Sequence, residues 1–520
     1  MKQKINFLLI LCLVAVLSSC NRNGKKIYTV VPDDVSVIGS FSPGKLMEKA
    51  DAADLNFMQD VLGEKEFNKF LYNNPGISGI DVNAYSCGFV YGTETKYMGI
   101  VMPLKSKKVF EKFLESLAKE YGTEFPTEIT EKYSFSKNGR GILAWNKSIL
   151  VQLSAISGND DIQIDQRLNE LFSLEAENCI LSDRDFNSFL DEQKDLNLWM
   201  SSNQLASLGN GALGMMNMLG AINNNYAHFF MEFGKGEINI SSNLIFNPDF
   251  KKNFDKYNFI DLNAEKEILK MLPSGDLILA GNVKMNPEKM ISLFELIGAG
   301  KAEFLGEVEK ETGKKPNEIL NTVQGSFAFS VNGIIPQTNS ESDTLACPKK
   351  SIPIMVAAMK LNDEKGITDF LKLSLQNKTW EEKDGYFAVH TNGLPFFILI
   401  KDMYLIISNE EKYLPEIIAN GKLENNLFKE DLSKTLSEYP ICMYLNLDRD
   451  SYSDKVRSYL NEEMEHPYAK GMKGMGASMK SLTLSGKIEK SEIRIEFKDK
   501  EVNALHGILK SLDGAGKKGN

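Results

Sequence analysis

Two apolar periodicities alternate along this chain, and together they predict helices and strands in one fold. Val109, Phe110, Phe113, Leu114, Leu117, Ala118 and Tyr121 fall at helical spacing and form the apolar stripe of an amphipathic helix. Glu237–Ile245 instead alternates with a period of two, as a strand with one buried face does. Asn138-Gly139 and Asn392-Gly393 lie between such segments, and Asn-Gly is the pair that closes a tight hairpin. Strands joined so closely must be antiparallel.

The pattern occurs twice. Tyr97-Met98-Gly99-Ile100-Val101-Met102-Pro103-Leu104 precedes a helix ending in Phe113-Leu114, and Ile354-Met355-Val356-Ala357-Ala358-Met359-Lys360-Leu361 precedes one ending in Phe370-Leu371. One offset relates Met98 to Met355, Met102 to Met359, Leu104 to Leu361 and Phe113 to Phe370. Val31-Pro32 matches Leu272-Pro273, Gly39 matches Gly281, and the strand from Leu196 matches that from Ile441, at smaller offsets that insertions would produce. The expected fold class is α+β: two tandem copies of an antiparallel sheet with helices on one face. The first copy spans 27–265 and the second 266–515, with a tail at 516–520.

Residues 1–19 read as a signal peptide, with Lys2 and Lys4 ahead of an apolar run over 5–17 that is too short for a permanent membrane span. Leu17-Ser18-Ser19-Cys20 resembles the bacterial lipobox, which implies cleavage before Cys20, lipidation of Cys20 and a tether over 20–26. The layout of the chain resembles the Bacteroides-type envelope lipoproteins of unknown function, whose halves open on Val/Leu-Pro, a short polar pair and a strand. That resemblance implies an envelope lipoprotein of an anaerobe and carries over no active-site residue. Asn21-Arg22-Asn23-Gly24-Lys25-Lys26 lacks the acidic residues that resemble surface-export signals, so the periplasmic face of the outer membrane is the expected location. Asp343-Thr344-Leu345 looks like the O-glycosylation acceptor of such envelopes, which makes Thr344 a modification candidate in a polar loop.

Composition narrows the functional classes. A formal charge of −10 disfavours nucleic acid and electrostatic attraction to an anionic membrane. Of six cysteines, Cys12 falls in the leader and Cys20 at the lipid site; Cys87, Cys179, Cys347 and Cys442 are too widely spaced for a disulfide framework. Gly209-Asn210-Gly211-Ala212-Leu213-Gly214 spells the dinucleotide pattern without the strand before it that the motif needs. Gly298-Ala299-Gly300-Lys301 lacks the Ser or Thr of a phosphate loop. His228, His390, His466 and His506 are scattered, and Asn446, Asp448 and Asp450 begin like a calcium loop that Ser451 and Arg457 then break. Neither metal nor cofactor is expected.

Two Met-rich segments remain. Met215, Met216 and Met218 lie among glycines ahead of the last hairpin of the first copy, and Met472 and Met475 occupy the same place in the second. Methionine is flexible and polarisable and suits a surface that accepts variable apolar shapes, so these residues are candidates for a ligand groove. The expected function is a noncatalytic binding module for a partner protein or apolar ligand, held to the membrane by lipid. The alternative is an envelope hydrolase with a dispersed carboxylate site.

Overall fold

Period-two alternation becomes antiparallel sheet throughout, and the expected Asn-Gly hairpins fall between paired strands: Asn138 pairs with Gly141, and Thr391 with Leu394. The computed structural model describes residues 25–51, 75–92, 96–122, 124–138, 141–156, 164–202, 224–260, 264–290, 292, 310, 313–314, 316–336, 351–375, 380–391, 394–463 and 478–516. The chain divides into a unit 1 of residues 1–247 with 499–520 and a unit 2 of residues 248–498.

Among the described residues, the strands of unit 1 are β1 (Val37–Phe41), β2 (Ser86–Tyr91), β3 (Tyr97–Pro103), β4 (Thr127–Ile129) and β5 (Ser134–Asn138). They continue with β6 (Gly141–Trp145), β7 (Ile149–Ala155), β8 (Leu196–Ser201), β9 (Tyr226–Phe233) and β10 (Glu237–Ile245). All pair antiparallel, in the order β4-β5-β6-β7-β3-β2-β1-β8-β9-β10.

Unit 2 contains β11 (Leu277–Lys284), β12 (Val323–Pro336), β13 (Ser351–Leu361), β14 (Trp380–Lys383) and β15 (Tyr386–Thr391). It continues with β16 (Leu394–Lys401), β17 (Tyr404–Ser408), β18 (Ile441–Asn446), β19 (Met479–Gly486) and β20 (Lys490–Phe497). Its antiparallel order is β14-β15-β16-β17-β13-β12-β11-β18-β19-β20, strand for strand that of unit 1.

Helices cover both faces of the unit 1 sheet, which corrects the expectation of one. Along β6, Ile142 and Ala144 join one core, with Phe186 and Phe189 of helix Arg184–Asp191, Leu168 of helix Ile164–Leu171, and Ile27 and Tyr28 of the 3-10 helix Lys26–Val30. Leu143 and Trp145 point the other way and meet Phe110, Phe113, Leu114 and Leu117 of helix Lys107–Tyr121. Every residue from Ile142 to Trp145 is apolar, so neither face of this strand can be left in water. A helical stripe records that a helix is half-buried but not which side of a sheet it covers.

The seam also differs from the expected 265/266. Helix Pro248–Tyr257 follows β10 yet counts with unit 2, whereas helix Ala504–Gly516 follows β20 yet counts with unit 1. In unit 1 that last helix packs on helix Pro43–Ala50, where His506 Nδ1 lies 2.8 Å from the Ala50 carbonyl. Cys87, Cys179 and Cys442 are free and buried, and burial raises the Cys442 thiol to about 12. No helix of the described residues is long and apolar enough to cross a membrane.

Candidate functional site

Five sequence candidates, Met215, Met216, Met218, Met472 and Met475, lie outside the described residues, as do Thr344, Cys20, Cys347 and both glycine-rich motifs. The described residues bring together a different apolar site. It sits on unit 1, on the face of β1, β2 and β3 opposite the core that contains Ile38, Cys87 and Val101.

Its shape follows from the register. Val37, Gly39 and Phe41 of β1 stand opposite Val90, Gly88 and Ser86 of β2, and Gly88 and Val90 stand opposite Ile100 and Met98 of β3. Gly39 and Gly88 therefore face each other at the centre of three strands. A Cβ added at Gly39 would meet only the Asn197 carbonyl at 3.9 Å, and one at Gly88 only the Gly99 carbonyl at 3.8 Å. Among the described residues, no side chain comes within 4 Å of either position.

The result is an apolar groove of about 290 Å³. Val37, Phe41 and Pro43 border it on the β1 side, Met98, Ile100 and Met102 on the β3 side, and Ser86, Gly88 and Val90 belong to the strand between. All of these side chains are uncharged. Met98 is 37% exposed, whereas Ser86 is 1% exposed.

Unit 2 has the same strand order and the same register around Gly281, but that glycine is covered. There Gly281 stands opposite Phe329, Val283 opposite Phe327, and Phe329 opposite Ala357. Phe327 and Phe329 thus hold the places of Ser86 and Gly88, and Ala357 that of Ile100. The Phe329 ring lies over Gly281, within 2.3 Å of where a Cβ would stand, and the two rings pack 5.9 Å apart.

The polar candidates are occupied by structural roles. Asp448 accepts from the Asp450 backbone N–H and Asn446 from that of Asp448, while Lys498 Nζ reaches Asp448 at 2.8 Å and Asp450 at 2.6 Å. The ammonium occupies the place a cation would take and holds the Asp448 carboxyl below its ordinary range. His228, 3% exposed, meets Asp185 at 2.8 Å, edge-on to the rings of Phe189 and Phe230. Asp183 caps the same helix, accepting from the Asp185 and Phe186 N–H groups and from the Tyr226 hydroxyl, and burial raises the Tyr226 phenol to about 12. A polar cavity of about 360 Å³ in unit 2 holds Glu492 3.5 Å from Arg494 and Glu496 3.6 Å from Lys480. These acids are met by cations, as on a solvated sheet face. No cluster of three metal-ligating groups occurs among the described residues.

A family described as a domain of unknown function, DUF4836, matches residues 29–505. The chain belongs to this family. The DUF4836 match takes in the strands of both units and so both versions of the β1-β2-β3 surface. The chain is also similar to the structure of crystal form III of TP0453, at 10% identity and a TM-score of 0.26, over 45% of this chain and 86% of that one. Crystal form IV of TP0453 gives 9% identity and a TM-score of 0.26, over 42% and 80%. Likeness at this level carries no argument about function. No curated protein matches the chain.

Proposed function

We propose that this protein is a noncatalytic, lipid-anchored envelope module whose unit 1 holds an apolar ligand chain in the groove over Gly39 and Gly88. The groove carries the reading: an uncharged lining around a floor without side chains favours an aliphatic chain over a charged or planar ligand. Its volume lies near the small end of the roughly 300–1,000 Å³ of ligand pockets, which suits one chain. The hydrolase alternative draws less support, because Glu492 and Glu496 of the polar cavity are each paired with a cation.

The two units are read as copies of one duplicated domain. Identical strand order supports this, as do Met98 opposite Val90 and Met355 opposite Val331 at the same place in each. Under that reading one copy kept or acquired an open groove and the other filled it.

The direct test is Gly88→Phe combined with Ile100→Ala, which places the Phe329–Ala357 pair of unit 2 in unit 1. Binding of n-decane, read by displacement of a fluorescent apolar probe, should fall more than about tenfold while the melting temperature stays within a few degrees. Unchanged n-decane binding in the folded variant would remove the groove as the site.

The tether reading rests on Cys20, and the absence of acidic residues over 21–26 favours the periplasmic face of the outer membrane. Cys20→Ala should move the protein from the membrane fraction to the soluble one. A variant that still sediments with membranes after a high-salt wash would mean that lipid is not the anchor.

A further inference from the structure

The groove has one polar side chain among the described residues, and none of them satisfies it. Ser86 lines the groove, is 1% exposed, and its Oγ has no hydrogen-bond partner among the described residues. A buried hydroxyl without a partner costs stability, and an alanine here would remove that cost. Phe327, at the same register position in unit 2, shows that this strand position can be wholly apolar.

We propose that Ser86 is the specificity residue of the groove and that the ligand is an aliphatic chain carrying one uncharged oxygen, a hydroxyl or an ester carbonyl, which bonds to Ser86 Oγ. The inference rests on the groove being the binding site and adds the chemistry of one end of the ligand. Three observations select that class. Val37, Val90, Met98 and Ile100 offer the chain only apolar contact. Ser86 lies toward the Phe41 end of β1, opposite Phe41 and beyond Gly88, so the polar point falls to one side of the floor. Among the described residues no charged one lines the groove: Lys105 is 3.8 Å from Asp81 and Lys49 2.6 Å from Asp195. A carboxylate or ammonium headgroup there would be desolvated without a counter-charge.

The test compares 1-decanol, methyl decanoate, decanoate and n-decane on the full-length protein and on Ser86→Ala, by probe displacement and by calorimetry. In the parent, 1-decanol or methyl decanoate should bind more tightly than n-decane, and the preferred one identifies hydroxyl or ester. Ser86→Ala should weaken that preferred ligand about fivefold to tenfold and leave n-decane unchanged. Equal affinities in the parent, or a Ser86→Ala variant with undiminished preference, would overturn the role of Ser86 while the apolar groove stands. Decanoate binding more tightly than both oxygenated probes would overturn the uncharged class. Failure of every probe, n-decane included, would overturn the groove itself and this inference with it. Ser86→Ala replaces an unpartnered hydroxyl and should fold at least as well as the parent, so lost affinity will not reflect lost structure.

Discussion

Replacing Asp185 by Ala should lower the unfolding free energy of unit 1 by roughly 2–5 kcal/mol, because it strands two buried donors at once. Asp185 Oδ2 accepts from Trp199 Nε1 at 3.0 Å and faces His228 Nε2 at 2.8 Å. Trp199 is 1% exposed and His228 3% exposed, so both donors lose their acceptor in a largely buried place. The cluster is aromatic on its remaining sides, with Phe186 edge-on to Trp199 at 5.6 Å and Phe189 stacked on Phe230 at 5.3 Å. Both donors meet the same oxygen, so Asp185→Asn can keep an acceptor at that place and should cost clearly less than the alanine. Urea unfolding followed by near-ultraviolet circular dichroism of the tryptophans measures both. A loss below about 1 kcal/mol for Asp185→Ala would mean that the two donors find other partners and that this network does not hold the core together.

How much of this was legible in the sequence depends on which contacts decide each feature. The strands and their antiparallel pairing were, because alternation and Asn-Gly turns act locally. The common offset of Met98 and Met355 reflects a common register, opposite Val90 and Val331. Gly39 and Gly281 could be matched in sequence because each precedes a Pro-led segment. Which helix covers which face could not be read, since the stripe of Phe110, Phe113, Leu114 and Leu117 would look the same against either side of β6.

The groove was illegible for a related reason. Its floor needs Gly39 and Gly88 to meet across two strands that lie far apart in sequence, and neither glycine has a positive φ or a turn to mark it. The informative signal was available but weak: Ser86 and Gly88 against Phe327 and Phe329, in strands that share Val90 and Val331 at the same place. Methionine-rich composition drew the reading to Met215, Met216, Met218, Met472 and Met475, while the methionines that border the groove are Met98 and Met102, in a strand recognised only as a repeat element.

The reciprocal exchange should open a groove in unit 2 over Gly281. In unit 2, Phe327→Ser with Phe329→Gly and Ala357→Ile would reproduce the residues that surround the open floor of unit 1. Phe329 now lies over Gly281, so its removal should expose that glycine as Gly39 is exposed. Two half-buried rings are lost, which should cost about 3–5 kcal/mol, with part returned by the larger side chain at Ala357. Calorimetric titration with n-decane should then reach a stoichiometry of two where the parent reaches one. Adding Gly88→Phe with Ile100→Ala to the same chain should bring it back to one, with the remaining site now in unit 2. If the exchanged protein folds with its expected loss of stability and still binds a single equivalent, the opening does not come from these positions. The difference between the units would then have to come from the strands beside them, where Leu198 flanks Gly39 and Met443 flanks Gly281.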